Sequence, residues 1–307
     1  MVARKLAILL TACLSPIALA QGLPPLGGGT QAPAPPPGLP PLGAPADAKP
    51  ATAKAPSGGL SVDAANADLI QARAANQEKR YADAEAIMLR DTAARPTMPY
   101  LWLELGQAQL GQKKYDEAET SFKAALSNGE TAPKQAQDHP GAFYTEGKGT
   151  IAHVSVSSGG PPPKGIDKGE VQGTADSGLG EIYIRQNKIA EGKEAFDKAA
   201  SANPSSSGFY YRNEAILFLQ TGHAPEQVEA ADKAIAADPA RGSLYFFKGQ
   251  GLAAQSTIDP KTQKLVLPAG SAEALQKYLD LEPTGQYAAD AKSLLAAAGV
   301  AVKPAKK

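Results

Sequence analysis

The chain has 307 residues, enough for two average domains, and its 31 Lys and Arg residues balance its 31 Asp and Glu residues. This balance provides no basic excess of the kind that favours nucleic-acid binding, and no stretch supplies the roughly 20 apolar residues that a permanent membrane helix needs. Cys13 is the single cysteine, so a framework of internal disulfide bonds is excluded.

Residues 1–20 have the pattern of a secretory signal peptide. A basic start is followed by an apolar stretch and by Ala-Leu-Ala at 18–20, which is a small-residue cleavage site. A second interpretation stays open, because Leu-Thr-Ala-Cys at 10–13 resembles a lipoprotein box whose cysteine is acylated. The first interpretation predicts a periplasmic or secreted protein that begins at Gln21. The second predicts an outer-membrane lipoprotein with a lipid anchor at Cys13.

Residues 21–60 are rich in proline, alanine and glycine and contain no aromatic residue. Such a segment cannot bury enough apolar surface to offset its ordering entropy, so the sequence predicts a disordered Pro-rich linker. The motif Gly-Leu-Pro-Pro-Leu-Gly occurs at 22–27 and again at 38–43. We expect the segment to act as a spacer, and the two motifs leave open a role as ligand of a proline-binding domain.

The chain from 61 to 299 has the residue spacing of helices, with apolar and small residues at i, i+3, i+4 and i+7 and prolines at block ends. Two inserts interrupt this spacing. The larger insert is rich in Gly and Pro, and it leaves open whether the helices on its two sides stack directly. The smaller insert has the pattern of a hairpin. The expected organisation is helical units at 61–128, the Gly/Pro-rich insert at 129–173, further units at 174–299 with a hairpin-like insert at 256–270, and a basic tail at 300–307.

A period of 34 residues runs through the helical part. It is visible where Tyr81, Ala84 and Met88 return as Tyr115, Ala118 and Phe122. A period of this length is typical of a helix–turn–helix unit that stacks on copies of itself, because one helix pair cannot bury its apolar face alone.

The residues at fixed offsets within the period carry a family resemblance. The second unit has Trp102, Leu105, Gly106, Ala118, Phe122 and Ala125, and the third has Leu179, Gly180, Tyr183, Gly192, Phe196, Ala199 and Pro204. This pattern resembles the tetratricopeptide repeat (TPR) family, and the chain is also similar to exported bacterial TPR proteins of unassigned role. The resemblance implies an all-α solenoid of about five repeats with a C-terminal capping helix.

The resemblance also implies where a partner binds, because in TPR proteins the first helix of each pair lines a concave groove. A mixture of apolar and amide side chains there suits an extended or helical peptide, and arginines suit a carboxylate. The candidate groove residues are Leu103, Gln107 and Leu110 in the second unit, Glu181, Ile184 and Arg185 in the third, Arg212, Ile216, Leu219 and Gln220 in the fourth, and Phe246 and Gln250 in the fifth.

No set of residues points to catalysis, a metal or a cofactor. The three histidines, His139, His153 and His223, lie far apart without metal-ligand spacing, and neither a nucleophile elbow nor a phosphate-binding loop is present. The sequence therefore predicts a protein that is not an enzyme. The expected role is a protein-interaction module or assembly scaffold in the bacterial cell envelope, and the alternative is a lipoprotein that gives structural support to envelope assembly.

Overall fold

A computed structural model of the chain describes residues 62–131, 167–261 and 265–303. The predicted signal peptide, the Pro-rich linker and the greater part of the large insert lie outside these residues. In the described part, eleven α-helices and two short strands follow one another. They are α1 (Val62–Gln77), α2 (Tyr81–Ala94), α3 (Pro99–Gly111), α4 (Tyr115–Thr131), α5 (Lys168–Arg185), α6 (Ile189–Ala202), α7 (Ser207–Thr221), α8 (Ala224–Ala237), α9 (Gly242–Ala253), β1 (Thr257–Ile258), β2 (Leu265–Val266), α10 (Ser271–Leu281) and α11 (Ala288–Ala297).

The same turn joins the two helices of each of the first four units. Its central residue has a left-handed backbone, with φ of 61° at Lys79, 63° at Lys113, 62° at Asn187 and 79° at Gly222. The next residue then donates its N–H to a carbonyl five positions earlier, for example Lys188 N to Tyr183 O at 2.8 Å. This bond closes the helix end and reverses the chain. Glycine and asparagine suit such a backbone, whereas the two lysines adopt it at a cost of roughly 1 kcal/mol each.

The helix pairs stack into one continuous solenoid. The first helix of each unit contacts the first helix of the next, and the second helix also packs on the following first helix, as α4 does on α5. The second and third units therefore stack directly although the large insert separates them in sequence. Hydrogen bonds support this junction: Asp167 N donates to the Tyr100 hydroxyl at 3.2 Å, and the Tyr183 hydroxyl donates to Glu119 Oε1 at 3.2 Å.

Close helix approach at this junction depends on two glycines around one aromatic ring. Phe122 of α4 is 0% exposed. A Cβ added at Gly106 of α3 would lie 2.8 Å from its ring, and a Cβ at Gly178 of α5 would also collide with it. The ring fills the space that the two missing side chains leave, so α3, α4 and α5 share one core.

The second insert forms a two-stranded antiparallel ladder in which Thr257 pairs with Val266 and Ile258 with Leu265. Beyond it, α11 packs on α9 and α10 and ends the stack. The segment after α11 is held by the amide of Gln276, which accepts from Lys303 N at 2.8 Å and donates to Lys303 O at 3.1 Å. The described residues thus form the all-α repeat fold that the sequence predicts.

Candidate partner-binding surface on the first helices

Half of the candidate groove residues lie in the core. Leu103 is 0% exposed, Ile184 1% and Phe246 2%. Ile184 lies against Gly192 on the second helix of its own unit, and Phe246 packs beside Tyr278 and stacks on Tyr287 with ring centroids 4.4 Å apart. These side chains offer no surface to a ligand, which corrects the expectation that they line an open groove. The other buried candidates are Leu110, Ile216 and Gln250.

The accessible candidates include a cluster at the C-terminal ends of the first helices. Arg185 of α5 forms an ion pair with Glu181 one turn earlier, at 2.7 Å between Nη2 and Oε1. The same Nη2 donates to Gln220 Oε1 of α7 at 3.4 Å. The Arg185 side chain is 28% exposed and that of Glu181 12%, so the cluster is open to solvent at the guanidinium. It joins the third unit to the fourth, and we call these three residues the Arg185 cluster.

Tyr81 lies near the same cluster, although the sequence pattern marks it only as a repeated position at the start of a second helix. Burial raises the pKa of its hydroxyl, and the negative charge of Glu181 raises it further. Its ring lies against Gly111 at the end of α3, where no side chain blocks it. A tyrosine of the first unit therefore lies within electrostatic range of Glu181 in the third unit, and its ring occupies the space beside Gly111.

Arg212 is not part of the Arg185 cluster. Its Nε is buried and has no hydrogen-bond partner among the described residues. Burial, and secondarily the charge of Arg241, lower the pKa of its guanidinium. Its other electrostatic neighbour is Tyr287, and no contact joins it to Arg185 in the described part of the chain. The remaining accessible candidates are Leu219, which packs at the edge of the core, and Gln107, whose Nε2 is buried and finds no hydrogen-bond partner in the described part of the chain.

Glu214 is a buried acid that the family pattern does not lead one to expect. It lies eight residues before the left-handed turn residue of its unit, as Leu105 and Leu179 do in theirs. The side chain is 1% exposed, and Oε2 has no hydrogen-bond partner among the described residues. Burial raises the pKa of this carboxyl to about 8, although the charge of nearby Lys233 opposes the rise. The carboxyl is therefore largely protonated at neutral pH.

An ion-pair network surrounds Glu214 on the outer helices. Lys233 of α8 binds Asp197 of α6 at 2.7 Å, and Lys193 of α6 binds Glu229 of α8 at 2.6 Å. These two pairs connect the second helices of the third and fourth units. The ammonium of Lys233 also lies 5.2 Å from the centre of the Tyr211 ring.

The described residues contain no group of three His, Cys, Asp or Glu side chains that could hold a metal ion. His223 belongs to a turn, where its Nδ1 lies 2.9 Å from Thr221 Oγ1 and its ring meets Phe218 edge-on. The other two histidines and Cys13 lie outside the described residues. None of the described helices is both long enough and apolar enough to cross a membrane.

Comparison with known proteins places the repeats in a family. The sequence profile described as tetratricopeptide repeat matches residues 99–128 and 178–206, which are the second unit and the greater part of the third. No curated protein matches the chain.

Several solved structures are similar to the chain at low identity. MamA 41-end from Desulfovibrio magneticus RS-1 is 12% identical with a TM-score of 0.45, over 72% of this chain and 97% of that one. A MamA RS-1 ArsTM double mutant is 14% identical with a TM-score of 0.44, over 72% and 95%. YrrB, described as a TPR protein with an unusual peptide-binding site, is 13% identical with a TM-score of 0.41, over 74% and 90%. The chain therefore contains tetratricopeptide repeats at 99–128 and 178–206, within a stack of five helix pairs of which the first four share one turn.

Proposed function

We propose that the chain is a protein-interaction module that binds a peptide or protein partner on the first helices of its third and fourth units. TPR proteins bind protein or peptide partners, and the fold is typically a scaffold rather than an enzyme. The observation that carries the proposed site is the Arg185 cluster, which joins two units and leaves a guanidinium partly open to solvent. An arginine in this setting is suited to bind a carboxylate of a partner. Leu219, which directly precedes Gln220 in the sequence, is the apolar residue next to the cluster.

The first test is a charge reversal with a matched control. Arg185→Glu should abolish adducts formed in cells by a photo-cross-linker placed at Leu219, because the new carboxylate repels an acidic partner and Glu181 alike. Lys198→Glu is the control, since Lys198 also pairs with an acid four residues earlier, Glu194, at 2.8 Å. Adducts should be identified by mass spectrometry and helix content checked by circular dichroism. Loss of adducts in both variants, or in neither, would contradict the proposed site.

We further propose that the protein acts in the bacterial cell envelope, as an exported assembly scaffold. The support is the signal-peptide pattern at 1–20, and the lipoprotein pattern around Cys13 supports the alternative of an anchored structural protein. Intact mass of the protein purified from its native cells separates the two. We expect an N-terminus at Gln21. A mass that begins at a diacylated Cys13 would replace the free scaffold with the lipoprotein, and an unprocessed Met1 would contradict export.

A further inference from the structure

Arg212 of α7 is a partly buried cation that no described acid neutralises. Two other arginines of the first helices each bind an acid, Arg73 with Glu104 at 2.9 Å and Arg185 with Glu181 at 2.7 Å. Among the described residues no acid acts on Arg212, whose Nε is enclosed without a hydrogen-bond partner, and burial lowers the pKa of its guanidinium. A charge that is withdrawn from water without a counter-charge costs free energy, so the folded protein should favour an anion at this position.

The neighbours of Arg212 along α7 are apolar. Helical spacing places Phe209 one turn before it and Ile216 one turn after it on the same side of the helix. Ile216 belongs to the core, and Phe209 is partly buried against that core. The guanidinium is therefore bordered on its own helix by apolar side chains, which keep the local dielectric low and strengthen its attraction for an anion.

The hydroxyl of Tyr287, the residue before α11, faces the same guanidinium. Burial raises the pKa of this hydroxyl and the charge of Arg212 lowers it, so the two groups lie within electrostatic range of each other. The Tyr287 ring stacks on Phe246 with centroids 4.4 Å apart, and its backbone N–H donates to the Tyr278 hydroxyl at 2.8 Å. The Tyr287 hydroxyl itself has no hydrogen-bond partner among the described residues. Packing thus holds a phenol donor in place near an arginine whose counter-charge is missing from the described chain.

The charges around Arg212 favour a ligand with a single negative charge. Arg241 also acts on this guanidinium, but it is already paired with Asp238 at 2.8 Å. One uncompensated guanidinium remains, and its planar fork can donate two parallel N–H bonds to a carboxylate. Glu282 and Asp290 act on the neighbouring tyrosine hydroxyl and oppose a second negative charge there. A carboxylate therefore fits this position better than a phosphate dianion.

We propose that Arg212 and the Tyr287 hydroxyl form a subsite that binds a carboxylate of a partner protein, at a point where that carboxylate lies beside an apolar side chain of the partner. The guanidinium supplies the charge, the phenol donates a further hydrogen bond, and Phe209 offers an apolar contact. The subsite lies where the fourth unit meets the residues before α11. It is separate from the Arg185 cluster, because no contact joins the two arginines among the described residues, so either site stands or falls without the other.

An NMR titration of the chain from Gln21 onward with N-acetylphenylalanine tests the subsite, since this probe carries one carboxylate beside an aromatic ring. We expect saturable shifts of the Arg212 Nε–H signal and of backbone amides at the start of α11. N-acetylphenylalaninamide, which lacks the charge, should leave these signals in place, and inorganic phosphate should bind more weakly than the probe. Arg212→Met should abolish the shifts. Tyr287→Phe should weaken binding by roughly 10-fold, because a hydrogen bond to a charged group is lost.

Matched arginine variants separate the subsite from a general effect of charge. Arg80→Met removes an exposed arginine that Asp83 already pairs at 2.7 Å, and Arg185→Met removes the arginine of the Arg185 cluster. Neither change should alter the affinity for the probe. Arg212→Met keeps the apolar stem, so circular dichroism and the midpoint of urea unfolding should show no loss of fold or stability. Equal shifts with the amide, tighter binding of phosphate, or equal loss of affinity in Arg185→Met and Arg212→Met would overturn the proposal.

A further variant tests whether the chain supplies the carboxylate itself. The acidic side chains outside the described residues are Asp47, Asp138 and Glu146. Their joint replacement by Asn, Asn and Gln, with a Gly-Ser extension after Lys307 to move the terminal carboxylate, should leave the Arg212 Nε–H signal of the probe-free protein and the probe affinity unchanged. A shifted signal before any probe is added, or a clear rise in probe affinity, would assign the subsite to the chain's own acid and overturn the proposal.

Discussion

Replacing Glu214 with leucine is expected to raise the free energy of unfolding by about 3 kcal/mol at pH 7. The wild-type carboxyl is buried at the repeat position where the second and third units have Leu105 and Leu179. Leucine at 214 removes the titrating group and restores the apolar contact that the other units make at this position.

The sign of the pH dependence follows from the pKa of Glu214, which rises from 4.5 to about 8 on folding. Below pH 4.5 the carboxyl is protonated in both states and imposes no cost. Between pH 4.5 and about 8 the unfolded chain releases the proton and the folded chain keeps it, so stability falls by up to about 1.4 kcal/mol per pH unit. Above pH 8 the carboxylate is ionised in both states and the cost no longer grows.

Glu214→Gln separates titration from packing, because the amide keeps the shape of the side chain and cannot ionise. Urea unfolding at pH 5, 6, 7 and 8 should show wild-type stability falling with pH relative to this variant. Glu194→Gln, an exposed acid of α6, is the control and should follow the wild type. The acids and bases that face Glu214 are Lys233, Asp197, Glu229 and Lys193. Because Lys233 favours the ionised carboxylate, Lys233→Met should raise the pKa of Glu214 further and extend the fall in stability to higher pH. Parallel profiles for wild type and Glu214→Gln would contradict the buried protonated carboxyl.

The repeat period predicts the fold well because its signals are local. The pair Gly106 and Phe122 of the second unit recurs with the same spacing as Gly180 and Phe196 in the third. The structure shows each glycine against the aromatic ring of its own unit. Asn187 and Gly222 likewise have the residue types that a left-handed turn favours, whereas Lys79 and Lys113 adopt the same turn without such a signal. In those two units the packing of the helices determines the backbone that the turn residue adopts.

The proposed partner-binding surface is predicted less well from the sequence, because its position depends on how the units pack on each other. Family offsets place Leu103, Ile184 and Phe246 on the groove side of their helices, but the structure buries all three, with Ile184 against Gly192 and Phe246 against Tyr287. The offsets also cannot show that Arg185 turns toward Gln220 in the next unit while Arg212 does not approach it. The ring of Tyr81 lies against Gly111 of the second unit and its hydroxyl is affected by the charge of Glu181 in the third, and these are relations between units that no single repeat encodes.

The ring of Phe122 should be the most important single contact between the second and third units. Phe122→Ala is expected to lower the free energy of unfolding by about 3–5 kcal/mol, since it leaves a cavity among α3, α4 and α5. Gly178→Ala should also destabilise, by about 1–3 kcal/mol, although alanine is the better helix former by roughly 0.5–1 kcal/mol. The added methyl has no space because the Phe122 ring already occupies it. Urea unfolding followed by circular dichroism measures both changes.

A double-mutant cycle attributes the effect of Gly178→Ala to this contact. In a Phe122→Leu background the smaller side chain makes room for the methyl, so Gly178→Ala should cost at least about 1 kcal/mol less than in the wild type. Gly208→Ala in the first turn of α7 is the control, because the nearest atoms to the added Cβ would be the Cβ atoms of Ala237 and Asp238, at 3.3 and 3.5 Å. Its effect should be small and identical in both backgrounds. If Gly178→Ala were equally costly with Phe122 or Leu at 122, the ring would not be the contact that joins the two units across the large insert.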